Sequence, residues 1–484
     1  MWTPSGPSWW ARRWPAGARL HFTRKALSLD VKEAWGLLLA GLVLLAATPA
    51  LAQAPLAPPP ADVASPAESS PSSLPWYTLH FTSTAAIQYH PSFPAPYSGQ
   101  NSLQPYAESA TAFISTLSAD IRLWPGADIV INPELSGGYG LSSTLGVAAF
   151  PRGLVYRVGN PAPAIYLARL FLRQTIGLGG GKEQAEEGMY QLPGARDVNR
   201  LTLIVGRLSV EDTFDGNAYA HDATSQFFDW ALFASGAWDY PADTRGYTYG
   251  FIAELTVGWW SLRAGIALEP LYANLETMDW NLAKSRGLMA EYEVRWNNKG
   301  GPGAARVTPF FNVARMGSYA QVLADPALYG GQVQPTRADG RTKYGVAISV
   351  DQRVSPSVGF FLRASINDGA NESWAFTEID RSLGVGLVKD GSLWGWRNYE
   401  LGGAFVVNGL SALHREYLAQ GGYGFIIGDG HLTYEPEFVG DFYFRVDLAT
   451  WLQASLIYQP IFNPGYNEAR GPVNVFSCRV RVGF

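Results

Sequence analysis

Apolar and polar residues alternate along much of this chain, and its last twelve residues show the pattern most cleanly. Counting back by twos from Phe484 gives Val482, Val480, Cys478 and Phe476, and between them lie Gly483, Arg481, Arg479 and Ser477. Side chains alternate across a strand, so this segment predicts a strand with one oily face and one face bearing two guanidinium groups. On a soluble sheet the arginine face would meet water and the oily face a core. In a transmembrane barrel the oily face meets lipid and the arginine face an aqueous lumen.

The same period recurs upstream. Tyr247, Tyr249, Phe251, Ala253 and Leu255 alternate with Thr248, Gly250 and Glu254; after Val257-Gly258-Trp259, Trp260, Leu262, Ala264 and Ile266 oppose Ser261, Arg263 and Gly265. This predicts a hairpin with a tight turn and aromatics at its end. Tyr344 to Val350 and Val358 to Ile366 flank a Ser355-Pro356-Ser357 turn in the same way. Phe442, Phe444, Val446 and Leu448 oppose Tyr443, Arg445 and Asp447, and Leu452 to Tyr458 follow. Each segment runs about nine residues, the length a tilted membrane strand needs. Longer connections fall at 179–199, 209–245, 319–342 and 408–435. One helix is predicted at Leu410–Gln420, stopped by Gly421-Gly422 and packed on the barrel. Residues 76–484 therefore read as an all-β chain, a transmembrane antiparallel barrel with short periplasmic turns and long extracellular loops.

Composition agrees. Charged residues make up 16%, below the roughly 25% of soluble proteins. The 17 Trp, 24 Tyr and 24 Phe suit aromatic girdles at two membrane interfaces. A mean hydropathy of -0.03 is what one apolar and one polar face per strand would give. A soluble multidomain β protein, such as a secreted β-sandwich lectin, remains the alternative that composition leaves open; detergent dependence of the folded protein separates the two. The single Cys excludes an intrachain disulfide, and its place on the apolar face of the last strand makes it inert packing. Six His without metal-ligand spacing predict no metal site and no cofactor.

Trp35 to Ala47 is a short apolar run followed by Pro49 and a small-x-small pattern at Ala50-Leu51-Ala52. Residues 1–52 thus read as an export signal, too short to span a bilayer comfortably. Its basic region is long, and a true start near Val31 accounts for that better than the Arg12-Arg13 pair as a twin-arginine signal. Residues 1–52 hold six basic and two acidic side chains, so the remainder carries 30 of the 36 Lys+Arg and 39 of the 41 Asp+Glu. That net charge of -9 excludes nucleic acid as a partner. Residues 53–75, almost wholly Pro, Ala and Ser, read as an extended linker that cannot bury a core.

Chemistry is sparse. Gly179-Gly180-Gly181-Lys182 lacks phosphate-loop spacing and reads as a turn; Asp368-Gly369 and Asp429-Gly430 are turn signals before they are calcium sites. A lipid-cleaving barrel would need Ser, His and a polar orienter together, and no nucleophile motif flanks His221, His414 or His431. What remains is the lumen. Arg122, Arg169, Arg173, Arg263, Arg363, Arg445, Arg479 and Arg481, with Glu254 and Asp447, fall on polar faces of their segments. Such a wall offers forked hydrogen bonds to sugar hydroxyls; for any one residue the blander account is a charge that solvates the pore or pairs with its neighbour.

Several segments resemble the carbohydrate-selective porin family of Gram-negative outer membranes. They are His90-Pro-Ser-Phe93, Arg122-Leu-Trp-Pro-Gly126, Arg157-Val-Gly-Asn-Pro161 and Tyr166 to Gln174 in the first half. The second half adds Trp374 to Leu383, Asn408 to Leu418, Gly428-Asp-Gly430 and, most specifically, Asn463-Pro-Gly-Tyr-Asn-Glu-Ala-Arg-Gly-Pro-Val473. The aromatic end at Phe484 also resembles most bacterial barrels and implies recognition by the barrel-insertion machinery. The resemblance covers residues 76–484 and implies about sixteen strands, passive passage of small sugars such as monosaccharides, no catalysis, and outer-membrane lipids as surroundings. A general diffusion porin for small polar solutes and a barrel enzyme acting on lipid are the alternatives. Whether the barrels form a homotrimer is left open.

Overall fold

The computed structural model describes residues 75–154, 161–391 and 398–484. The export signal, nearly all of the Pro-rich linker and Arg157–Asn160 of the resemblance lie outside the described residues. The first strands are β1 (Tyr77–His90), β2 (Glu108–Trp124), β3 (Ala127–Gly138) and β4 (Ala164–Gly177). A small hairpin, β5 (Lys182–Ala185) and β6 (Gly194–Asp197), precedes β7 (Arg200–Leu208). Next come β8 (Thr248–Val257), β9 (Trp260–Ala267), β10 (Arg286–Asn298), β11 (Gly301–Ala314), β12 (Arg341–Ser355) and β13 (Val358–Asn367). The series ends with β14 (Arg381–Asp390), β15 (Tyr399–Gly409), β16 (Glu437–Ala449), β17 (Leu452–Phe462) and β18 (Val473–Gly483).

Among the described residues, sixteen of these strands, all but β5 and β6, form one closed barrel, sealed where β18 pairs antiparallel with β1. Closure leaves no strand edge unpaired, the condition for spanning a bilayer with strands. No described helix is long and apolar enough to cross a membrane. The register of β18 puts Cys478 between Ile87 and Leu456 and Val480 between Ala85 and Ala454. Ile87, Leu456 and Val480 are exposed on the outer face, while Arg479 is 1% exposed on the inner one. The predicted faces of the last strand are thus the observed ones.

Two ends differ. At one, β2–β3, β8–β9, β10–β11, β12–β13 and β16–β17 are joined by two-residue turns. Pro125-Gly126 shows why such turns are short here: proline presets φ before glycine, which takes φ +78° where an added Cβ would meet the Thr175 carbonyl at 2.2 Å. Trp76, Trp124, Trp259, Trp451 and Phe484 are exposed at this end, as an interfacial girdle requires. The other end carries the long loops. The connection 179–199, expected among the long loops, instead lies at the short-turn end and contains the β5–β6 hairpin. The expected helix is present at Ala412–Ala419, with Ser411 Oγ accepting from the His414 amide at 3.1 Å.

The barrel is not hollow. Residues 209–247, between β7 and β8, fold into it and bury Phe214, Phe227, Phe228, Trp230, Leu232 and Trp238. A loop with buried backbone must have its polar groups satisfied, and wall side chains do this by sign. Carboxylates take amides: Asp441 accepts from Phe228 and Asp229 at 2.7 and 2.9 Å, and Glu291 accepts from Asp215 at 2.6 Å. Guanidinium groups take carbonyls: Arg363 donates to Asp215 and Ala220 at 2.9 and 2.8 Å, and Arg479 to Ala223 and Gln226 at 2.7 and 2.8 Å. The outer loops repeat the device. Glu437 accepts from Ala148 and Ala149, and Glu378 from Ile426 and Ile427.

Candidate functional site

Among the described residues, a pair of cavities inside the barrel bears on passage. The larger, about 570 Å³, opens toward the short-turn end and is lined by Arg122, Asp128, Arg173, Arg200, Glu254 and Arg263 together with residues of the β5–β6 hairpin. It lies within the roughly 300–1,000 Å³ typical of small-molecule sites. The smaller, about 200 Å³, lies toward the long loops, with Glu134, Arg169, Asp243, Arg245, Tyr247, Trp230 and Phe376 among its walls. Arg169 lines the smaller cavity and Asp212 the larger. These two residues form a forked pair, Nε to Oδ2 at 2.6 Å and Nη2 to Oδ1 at 2.7 Å. The junction between the cavities is therefore a bidentate ion pair between the β4 wall and the inward loop, a geometry that fixes both partners.

Around it stand hydrogen-bonding and aromatic groups in alternation. The Tyr247 hydroxyl donates to Glu134 at 2.9 Å, and Arg207 donates to Asp243 at 2.7 Å. The Arg245 guanidinium pairs with Glu276 at 2.7 Å and lies 4.2 Å from the Tyr166 ring centre. Arg169 itself sits 5.1 Å from the Tyr247 ring centre, within cation–π range. Toward the short-turn end the wall carries a ladder of charge across β8 to β12. Arg263 pairs with Glu254, with Glu291 at 2.5 Å and with Glu293 at 3.3 Å; Arg306 then joins Glu293 at 2.7 Å to Asp351 at 2.6 Å.

The residues singled out from sequence divide into three groups. Arg122, Arg173, Glu254 and Arg263 line one cavity, and Arg169 stands at the junction. Arg173 is paired with Asp128 at 2.7 Å, and Arg122 donates to the Pro193 carbonyl at 3.0 Å. Arg363, Arg445 and Arg479 hold the inward loop. Arg363 pairs with Asp215, Arg445 pairs with Glu400 at 3.0 Å and reaches the Ser225 carbonyl, and Arg479 also donates to Ser455. Asp447 lies 3.6 Å from Arg445, and Arg481 donates to Gln453 at 3.3 Å on the same face. Sequence reasoning missed Glu134, Tyr190, Asp212, Asp243, Arg245 and Tyr247 as site residues. Glu134 was legible: Asp128, Val130, Asn132, Glu134 and Ser136 alternate with Ile129, Ile131 and Leu135. Tyr190, Asp212, Asp243 and Arg245 lie in connections, where no period marks a face; Tyr247, expected on the apolar face of a strand, instead precedes β8 and is buried with its hydroxyl on Glu134.

Among the described residues the histidines form no catalytic arrangement with serine. His414 Nδ1 meets Asp380 at 3.0 Å, and its Nε2 faces the Tyr319 hydroxyl at 3.2 Å, all buried between loops. Among the described residues no group of His, Cys, Asp and Glu is arranged to hold a metal.

A closed antiparallel barrel with an apolar outer face, an aromatic girdle and a charged lumen narrowed by an inward loop is an outer-membrane channel. Residues 110–484 match the carbohydrate-selective porin, OprB family. The chain belongs to this family, and so is an outer-membrane porin for the passive diffusion of small sugars. The high-pH structure of Pseudomonas putida OprB is similar, at 14% identity and TM-score 0.64 over 84% of this chain and 94% of that one. Its low-pH structure gives 11% identity and TM-score 0.46 over 84% and 92%. The channel DcaP of Acinetobacter baumannii gives 11% and 0.47 over 84% and 97%. The first likeness is one of fold. No curated protein matches the chain.

Proposed function

We propose that small sugars cross the barrel at the Arg169–Asp212 junction, with Arg122, Arg173, Glu254 and Arg263 lining their path on the periplasmic side. The observation that carries this reading is the junction itself, where paired donors and acceptors sit among the rings of Tyr166, Tyr190 and Tyr247. Sugar hydroxyls accept from guanidinium and donate to carboxylate, and pyranose faces pack on aromatic rings. Arg363, Arg445 and Arg479 act indirectly by seating the loop, and Arg481 and Asp447 belong to the wall beyond it. The channel works without catalysis or cofactor; Phe484 addresses the insertion machinery, and residues 1–52 direct export.

The test is current block by glucose in the Asp212→Asn variant. A charge-assisted hydrogen bond contributes about 1.5–3 kcal/mol when buried and less in a wet pore, so block should weaken by roughly threefold to tenfold. Unchanged block would remove the junction from the sugar path and favour general diffusion. Phospholipid hydrolysis by the purified protein would reopen the enzyme alternative. A threefold mass for the detergent-extracted protein would support a homotrimer, a single mass a lone pore.

A further inference from the structure

The connection between β4 and β7 has no counterpart among the two-residue turns beside it. It spans residues 178–199, carries its own paired strands, and closes in a turn where Gly188 and Gln191 exchange both backbone hydrogen bonds, at 3.1 and 3.0 Å. The charges of its two strands are paired, within the hairpin and to Arg200 of β7. Lys182 pairs with Asp197 at 2.5 Å, and Glu183 pairs with Arg196 and Arg200 at 2.8 and 3.0 Å. Its base is laced as well: Val198 donates to Gly181 at 3.1 Å and Asn199 to Gly179 at 2.9 Å. A segment this well tied is a built element.

It also turns inward. Pro193 accepts from Arg122 of β2, and Glu187 approaches His80 of β1 at 3.6 Å. At the tip, Tyr190 holds φ +63°, a left-handed conformation costly for a residue with a bulky side chain. That cost is offset by what the ring reaches. Its centre lies 4.3 Å from the Arg169 guanidinium carbon, its hydroxyl accepts from Arg169 Nη1 at 3.0 Å, and it donates to Asn132 at 3.2 Å. The tip of a periplasmic turn thus touches the same arginine that the inward loop pairs through Asp212.

We propose that the hairpin Lys182–Asp197 is a second size filter, entering from the periplasmic side, and that Tyr190 is a specificity-determining residue at its tip. It rests on the reading that sugars cross at Arg169–Asp212. The ring narrows the passage below the ion pair and holds the guanidinium in one orientation, so a monosaccharide passes where a disaccharide is slowed. Two independent elements, one from each end, then set the width at one point.

The experiment is liposome swelling with glucose and with a disaccharide, alongside single-channel conductance. Deleting Lys182–Asp197 joins Gly181 to Val198, which already share a hydrogen bond. The filter predicts that conductance and the disaccharide-to-glucose rate ratio each rise by roughly twofold or more, as widening a pore-limiting constriction requires. Tyr190→Ala should move the ratio in the same direction by less. A correctly folded deletion variant with both quantities unchanged overturns the filter. Should the deletion variant fail to fold, Tyr190→Cys in a Cys478→Ser background gives the answer. Attachment of a bulky thiol reagent should cut the current, and unaltered current would overturn the proposal. The two readings fail separately: if Asp212→Asn weakens glucose block while hairpin loss changes nothing, only the filter falls.

Discussion

Four neighbouring positions on β18 should respond differently to substitution. Cys478 is the middle residue of Val473–Gly483 and faces outward between Ile87 and Leu456. Arginine there meets the centre of the apolar band, at a cost of about 2–4 kcal/mol. That is roughly thirtyfold to a thousandfold in the folding equilibrium. Val480 lies two residues nearer the girdle, about 5 Å along the membrane normal for a strand tilted by roughly 40°. Val480→Arg should therefore cost less than Cys478→Arg and still be measurable. Arg481→Ala should leave folding intact, since it removes a single 3.3 Å bond to Gln453 in a wet lumen. Arg479→Ala should fold as well but free the carbonyls of Ala223 and Gln226, loosening the inward loop and adding noise to the open current. Urea titration in lipid vesicles, read by tryptophan fluorescence and heat-modifiable mobility, orders the four variants. If Arg481→Ala unfolds as readily as Cys478→Arg, or Cys478→Arg folds like the parent, the assignment of faces is refuted.

Burial, with Asp215 and Asp212 adding repulsion against the pull of Tyr240 and Arg363, pushes the Glu211 carboxyl in the inward loop up to about 8. An acid raised above its ordinary value of about 4.3 stabilises the docked loop most at low pH and progressively less as pH rises toward 8. Current noise should grow over that window and become flat with pH in Glu211→Gln; an unchanged slope in the variant would contradict the assignment. Asn467→Ala removes bonds to the Tyr97 hydroxyl, to Asp429 and to the His431 carbonyl, at 2.6, 2.7 and 3.0 Å. Tyr97 and Asp429 are half-buried and His431 is exposed, so stranding them costs toward the lower end of about 1–3 kcal/mol; the loops should become several-fold more sensitive to added protease, while the barrel stays intact. Sequencing the mature N-terminus should begin at Gln53; an intact Met1 would contradict the export reading.

The barrel was legible because strands carry their environment in a period of two. Phe476, Cys478 and Val480 against Ser477, Arg479 and Arg481 could be sorted by face from the sequence, whereas the register that sets Ala86 beside Arg479 is seen only in the closed barrel. Strand number was not legible in this way where the alternation slips: β4 exposes Ile165 and Leu167 and then Leu170, opposite a register shift at Asn132/Pro133 of β3. The inward loop hides its role for a physical reason. Phe214, Trp230 and Trp238 are buried by distant wall residues, and no local period records that. For the same reason the arginines could be placed on the polar face but not given a task. Arg479 and Arg481 share a face two residues apart, yet one is bonded to two loop carbonyls and the other to a wall glutamine. The Asn463–Val473 segment stood out by resemblance, and the structure supplies its work. Tyr466, Asn467 and Arg470 tie together the loops that begin at residues 91, 368 and 410. The hairpin at 179–199 read as an ordinary loop because its glycines are turn residues in either setting.

The central claim is that sugars pass through this lumen. Single-channel current in a planar bilayer, with glucose and then a disaccharide titrated in, tests it most directly. The account predicts steady conductance that falls saturably with glucose and responds more weakly to the disaccharide. Folded protein whose conductance is indifferent to both sugars, or that carries no current, would contradict it.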